Sequence, residues 1–512
     1  MGFTASLDGS IIAVALPEIS AELASGDKYV WVANCFVLAQ TVVQPTFAQI
    51  CDIFGRRWPM ILTTIIFAIG SGIAGAATDT NTLIAGRTVQ GLGSGGIMLM
   101  VELIVCDLVP LKERGMYLGI VLSTAALGAI LGPIVGGAIA ERNWRWCFYI
   151  NLPICGTVLP ILVFFLQIRH HKITWSQLIT RIDWAGNIIF IGSMCAILFG
   201  LLVGGIIHPW SSWHVIVPIT IGGIGWAAFH WYETICKTPC IPPRLFRNRT
   251  SSSAFYMIFI TSMALQWICF FWPVYFMAVR GTTLMRTGVN FMPFMFFLIP
   301  GAAVAGIILS KTGRYRSLHA LGFALSTLGT GLNTLLGHRT PTSVWAIFQI
   351  IDAAGRAMIL PTTLPAILVS LSEDDVAAAT GVYSFLRSFG FVWGITIPGI
   401  IFNNKFQTNS FKIADVAVRE ALSGGQAYQL ATGPFIQTLT PDIQAQVIEV
   451  YVDALKVVWL AAMGFGATGF IAVAIEKEIS LRTSLETQYG LENREKVMDQ
   501  EIEEVGSSET AK

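Results

Sequence analysis

The chain has 512 residues, of which 54% are hydrophobic and only 12% charged, with 49 glycines and a formal net charge of +1. A soluble globular chain carries about 25% charged residues, so this composition describes a membrane protein and excludes a soluble one. The near-zero net charge provides no overall field to draw nucleic acid or an acidic partner.

Apolar stretches long enough to cross roughly 30 Å of hydrocarbon as helices recur fourteen times. In chain order they cover 2–19, 29–50, 59–77, 82–108, 116–139, 148–167, 183–206, 214–232, 254–279, 289–310, 317–337, 343–371, 377–402 and 455–475. This predicts an all-α membrane protein. With a cytoplasmic N-terminus, the short inside loops hold fourteen Lys or Arg residues and the short outside loops six. That excess matches the positive-inside rule and puts both termini in the cytoplasm. The sequon Asn248-Arg249-Thr250 then faces inward and stays unmodified.

The first span contains "SLDGSIIAVALPEIS", with Asp8 deep in apolar sequence and nine residues before Pro17. In the fourth, "GRTVQGLGSGGIMLMVELIV", Arg87 and Glu102 are fifteen positions apart, within about 60° of one helix face and about 22 Å apart along the axis. Ionisable residues in a span face the bundle interior or a wet cavity, because lipid exposure costs about 2.5–3.5 kcal/mol each. An arginine opposite an aspartate favours its charged form, and when the arginine finds another partner the carboxylate can take a proton. Asp8 and Arg87 are therefore expected to form a proton-coupling element, with Glu102 extending the relay. The alternatives are a structural salt bridge that never titrates, and a Glu102 that caps polar contacts near the cytoplasmic end with Asp107. The fifth span contains "GAILGPIVGG": Gly128, Gly132, Pro133, Gly136 and Gly137. Glycines four apart let a second helix backbone approach, and Pro133 favours a kink.

A short basic loop occurs twice, as "DIFGRRWPM" after the second span and "KTGRYRSL" after the tenth. Repetition at the same place in two halves is the pattern of a parallel-repeat transporter. The expected division is a bundle at 1–167, a linker helix pair at 168–253, and a second bundle at 254–475 with an outside loop at 403–450. A charged cytoplasmic tail, 476–512, is expected to be a solvated helix or disordered.

For a central cavity, Gln40 and Gln44 in the second span and Trp267, Trp272 and Tyr275 in "QWICFFWPVYF" are candidate linings. Phe291, Phe294 and Met295 join them, because aromatic and Met walls suit varied amphipathic ligands. Aromatic residues that face lipid or pack helices are the competing reading. Asp352 and Arg356, four apart, neutralise each other or face substrate. Arg387 has no local partner and is a candidate for cavity electrostatics. Nine scattered cysteines form neither a disulfide framework nor a metal site, Cys236 and Cys240 included. No cofactor is implied: a G-x-x-x-x-G-K-[ST] loop is missing, and no nucleophile constellation points to an enzyme. Neither an acylated Gly2 nor a cleavable signal peptide is expected, since the chain runs directly into a span.

Together these residues resemble the major facilitator superfamily, specifically its fourteen-span drug:proton antiporters and fungal mycotoxin and multidrug efflux pumps. "LDGSIIAVALP" is similar to the family's first-span motif, with Asp8 at its acidic position. "CDIFGRRWPM" matches the loop between spans 2 and 3 through Asp52, Gly55, Arg56 and Arg57, departing at Ala48 and Ile53. "GRTVQGLGSGG" puts Arg87 at the family's span-4 arginine, "CDLVPLKERG" puts Asp107 and Arg114 beside the gating loop, and "GAILGPIVGG" matches the antiporter motif associated with export. The family's first span is longer before its aspartate, so this sequence is expected to begin at an internal methionine. The resemblance implies two six-helix bundles plus an extra helix pair. It also implies a monomeric transporter of the plasma membrane, with a vacuolar or vesicle membrane as the alternative, that exports small, mostly apolar compounds against protons by alternating access. An importer or uniporter of the same fold, or a membrane sensor without turnover, are the alternatives.

Overall fold

The computed structural model describes residues 1–23, 28–166, 182–205, 208–423, 426–431 and 433–483. Regular structure among them is helical apart from one isolated bridge between Gly204 and His208. The first bundle contains α1 (Gly2–Glu22), α2 (Tyr29–Val42), α3 (Gln44–Phe54), α4 (Arg57–Gly75), α5 (Thr80–Leu108), α6 (Leu111–Asn143), α7 (Trp146–Tyr149) and α8 (Asn151–Phe165). A helix pair follows, α9 (Trp184–Val203) and α10 (Trp213–Glu233). The second bundle has α11 (Arg249–Val274), continued by a π-turn at Tyr275–Val279, then α12 (Leu284–Thr312), α13 (Tyr315–Leu332), α14 (Thr342–Leu368) and α15 (Val376–Asn409). Short helices α16 (Val416–Ala421), α17 (Gln426–Gln429) and α18 (Gly433–Gln437) lead into α19 (Pro441–Ile475).

All fourteen predicted spans fall on helices. The second is split at Val43, because Pro45 in the first turn of α3 has no N–H to return to the preceding turn. Eleven helices among the described residues are long and apolar enough to cross a membrane. The segment 403–450 is smaller than expected as a loop, since α15 and α19 extend into it from either side. Its remainder folds back on the second bundle: Tyr451 donates to the Ala427 carbonyl at 2.7 Å, and Tyr428 stacks on Phe270. Residues 484–512, including most of the predicted tail, lie outside the described residues, as do 167–181 of the predicted linker.

The twofold repetition is present in the backbone. Gly55 ends α3 at φ 75° and Gly313 ends α12 at φ 68°, a left-handed conformation that favours glycine and turns each chain into its basic loop. Beyond the loops, Gly70 of α4 packs on the backbone of Gln90, and Gly329 of α13 packs on that of Asp352. Three residues further along the second helix of each pair, Gly93 meets Phe67 and Gly355 meets Ser326. Asp352 is thus the second-bundle counterpart of Gln90.

The bundles meet along two lines. On one, Gly115 and Gly119 of α6 face Gly306 and Ala302 of α12, and Ser123 donates to the Ile299 carbonyl at 2.8 Å. On the other, Gly381 of α15 rests on Ala48 of α3. Beside this second line lies the helix pair, where Thr46 donates to Asn187 Oδ1 at 2.6 Å and Phe190 packs edge-on against Phe385. All these contacts lie in the half of the molecule that carries the basic loops.

Candidate functional site

Asp8 is buried in the first bundle and tied directly to two other helices, α5 and α8. Arg87 Nη1 lies 2.5 Å from Asp8 Oδ2, while Gln90 Nε2 and Asn151 Nδ2 each donate to Oδ1 at 2.7 Å. Arg87 also donates to Gln90 Oε1 at 2.7 Å, and Gln90 donates to Ser71 at 2.9 Å. Arg87 Nε and Nη2 find no hydrogen-bond partner among the described residues, but the guanidinium lies over the Phe36 ring, 4.2 Å from its centroid, a cation–π contact. The α5 register that aims these groups starts at Asp79, whose Oδ1 accepts from the Asn81 and Thr82 amides. With α1, α5 and α8 converging on one carboxylate and α4 joined through Gln90, a change of charge at Asp8 is felt by every helix of the cluster.

The glycine motif holds α1 in place. A Cβ on Gly132 would stand 2.9 Å from the Leu7 carbonyl and collide with the Ser10 side chain; Gly128 faces Phe3 and Gly136 faces Ile11. Gly137 is half-buried nearby. The Pro133 ring lies outside the described residues, and α6 runs unbroken from Leu111 to Asn143. One end of α6 therefore grips α1, next to Asp8, and the other forms the contact between bundles.

Glu102 corrects the expected relay. It makes no hydrogen bond to Asp8 or Arg87 among the described residues; instead it accepts from Ser384 at 2.6 Å and pairs with Arg387, both on α15. The helix face shared with Arg87 is right, but α5 leaves its own bundle's core over that length and reaches the seam. Arg387, without a neighbour in sequence, gains one 285 positions away.

The loop residues also divide differently from the expectation. Arg56 donates to both Asp107 oxygens, at 2.6 and 3.3 Å, and to the Cys51 carbonyl at 2.8 Å; Asp52 lies 3.6 Å away. That network closes α3, α4 and α5 on each other within one bundle. Arg57 turns outward to the Val163 carbonyl of α8, 2.5 Å away. Arg114 reaches the second bundle, at Glu373, 3.4 Å away. Arg482 approaches the same carboxylate at 3.2 Å. Asp375, hydrogen-bonded to Arg244, pushes that guanidinium further up from the ordinary arginine range.

Among the expected cavity linings, Gln40 accepts from Ser94 at 3.4 Å, and the Gln44 amide is fully buried with no hydrogen bond among the described residues. Both occupy the region where α2, α3, α5 and α15 converge. Trp267, Tyr275 and Phe294 are elsewhere: Trp267 packs on Phe465 of α19, Tyr275 donates to the Gly337 carbonyl at 3.0 Å, and the Phe294 amide donates to Gln349 of α14 at 3.2 Å. All three are buried inside the second bundle, where large rings fill space between helices. Gln90, Asn151, Ser71, Ser384 and Glu373 escaped the sequence reading. Gln90 had a signal, three residues from Arg87 on one helix face.

Two helical bundles related by repetition, a helix pair beside their seam, and a buried charge cluster in the first define a membrane transporter rather than an enzyme. The Major Facilitator Superfamily model matches residues 1–395, and the chain belongs to that family. It is 48% identical to the MFS efflux transporter aclA of Aspergillus oryzae, over all of this chain and 93% of that protein. It is 43% identical to the Acurin A biosynthesis cluster MFS-type transporter of Aspergillus aculeatus, over 96% of this chain and 90% of that one. In fold it is similar to the human organic anion transporter MFSD10, with a TM-score of 0.59, 12% identity, and 92% and 97% of the two chains covered.

Proposed function

We propose that the protein exports small, mostly apolar organic compounds, such as toxins or secondary metabolites, in exchange for protons, by alternating access of the two bundles. The carrying observation is the carboxylate of Asp8, buried against Arg87, joined to α5 and α8 and, through Gln90, to α4. A proton arriving at Asp8 removes its charge, so Arg87 loses its counter-ion and the tie between α1 and α5 weakens. Because α1 is seated on the glycine face of α6, its shift is delivered along α6 to the contacts at Gly115, Gly119 and Ser123. In the present state the basic-loop half is closed by those contacts, by Glu102 with Ser384 and Arg387, and by Arg114 with Glu373.

Taking the basic loops as cytoplasmic, the closed half faces the cytoplasm in a plasma-membrane monomer with both termini inside, and protons enter from outside. Gln40, the unpartnered Gln44 amide and Arg387 are the contacts assigned to substrate. Similarity to the efflux transporter aclA and the uninterrupted α1–α6 glycine contact support export over import.

The test is compound-dependent proton flux in vesicles carrying the purified chain, across a panel of apolar fungal metabolites. Asp8→Asn is expected to lose at least about tenfold of the flux while staying monodisperse. Undiminished pH-driven transport by that variant removes Asp8 from the coupling step.

A further inference from the structure

Asp352 and Arg356 of α14 form a second buried ion pair, 3.0 Å apart, in the bundle opposite Asp8. Thr330 of α13 bridges them: its hydroxyl is 3.3 Å from Asp352 Oδ1 and 3.3 Å from Arg356 Nη2. Arg356 Nη1 reaches the Thr261 carbonyl of α11 at 3.4 Å. Each partner is nonetheless half satisfied. Asp352 Oδ2 and Arg356 Nε make no hydrogen bond among the described residues, and neither do the hydroxyls of Thr261 and Thr327 around them. Arg356, Thr261, Thr327 and Thr330 line a void with about 10 Å³ for a water's centre, on the order of what one water needs.

A structural ion pair stabilises only when its remaining donors and acceptors are also satisfied, since uncompensated buried groups cost about 1–3 kcal/mol each. Here the unsatisfied atoms are a donor and an acceptor of the pair itself and two neighbouring hydroxyls; Arg356 and both threonines line the space the size of one water, and Asp352 stands behind them. The titratable groups facing Asp352 are Arg356 on its own helix and, at longer range, the Cys269 thiol of α11. On α13 and α19 the void is lined by Phe323, hydroxyl side chains, Ala462 and Gly466. No second carboxylate is among these groups. In the internal repeat Asp352 stands where the first bundle has Gln90, one step from its own arginine.

We propose that the half-satisfied pair of Asp352 and Arg356 forms a second proton station, in the second bundle. The carboxylate takes a proton from the acidified medium and becomes a neutral acid; Arg356 stays protonated and turns to Thr330 and the Thr261 carbonyl. The proton returns to the medium when the ion pair reforms. The station requires no contribution from Asp8 and no transported compound.

Carboxyl infrared difference spectra of the full chain in lipid nanodiscs, recorded on stepping from neutral to acidic pH, test this directly. Wild type is expected to show a protonated-carboxyl component that disappears in Asp352→Asn and persists in Asp8→Asn. In Asp352→Glu it is expected to remain at a shifted frequency, which keeps the test readable should Asp352→Asn fail to fold. A spectrum unchanged by both Asp352 substitutions overturns the proposal. Loss of the Asp8 component alone bears on the coupling assignment and leaves the Asp352 station standing.

Discussion

Arg87 shows how much a single side chain carries when its charge has no water to fall back on. Its guanidinium neutralises Asp8 and rests on Phe36, so removing it leaves a carboxylate buried without a counter-ion. Arg87→Ala is expected to lower stability by about 3–5 kcal/mol, seen as a large drop in the thermal midpoint in detergent. Gln90→Leu removes a neutral partner and is expected to cost less, about 1–3 kcal/mol. Equal midpoints for the two variants would show that the charge of Asp8 is compensated elsewhere. Asp8 and Arg87 were legible in the sequence because a charge in an apolar run needs a reason to be there. Asn151 and Ser71 were not, because uncharged polar residues occur in spans without function and their place in the network around Asp8 depends on helices distant in the chain meeting.

Among the elements, α6 has the most specific job: one end is fitted to α1 and the other to α12. Gly132→Leu drives a side chain into Leu7 and Ser10, and overpacking of this kind costs about 1–3 kcal/mol. Displacing α1 moves Asp8 from Arg87, so proton flux is expected to fall together with stability. Gly156→Val is the control, as a Cβ there meets nothing within 4 Å; a drop as large as that of Gly132→Leu would mean that glycine loss in any span is enough. The periodic spacing of the motif predicted close helix approach correctly. It could not name α1 as the partner, because the spacing of small residues describes one surface and says nothing about what lies against it.

For the whole molecule the decisive contacts join residues hundreds of positions apart. Glu102 with Ser384 and Arg387 closes the seam on the basic side, and the Cys106 thiol, one turn from Glu102, faces Thr380 across it. Glu102→Gln is expected to favour opening of that side and to raise maleimide labelling of Cys106 at least about tenfold, a bias of about 1.4 kcal/mol. Mass spectrometry of the labelled peptide reads it. Labelling as slow as in wild type would mean that Glu102 does not hold the seam shut. By itself the sequence determined the fourteen helical spans, the repeat, the membrane setting and the identity of the buried charges, since each follows from local composition and from the cost of placing polar groups in hydrocarbon. Partnership was decided by tertiary structure: Glu102 crosses to the other bundle, Arg57 turns away from the gate, and Trp267, Tyr275 and Phe294 fill a bundle core. Helical period fixes the face on which a side chain stands, whereas its partner depends on the packing of helices distant in the chain.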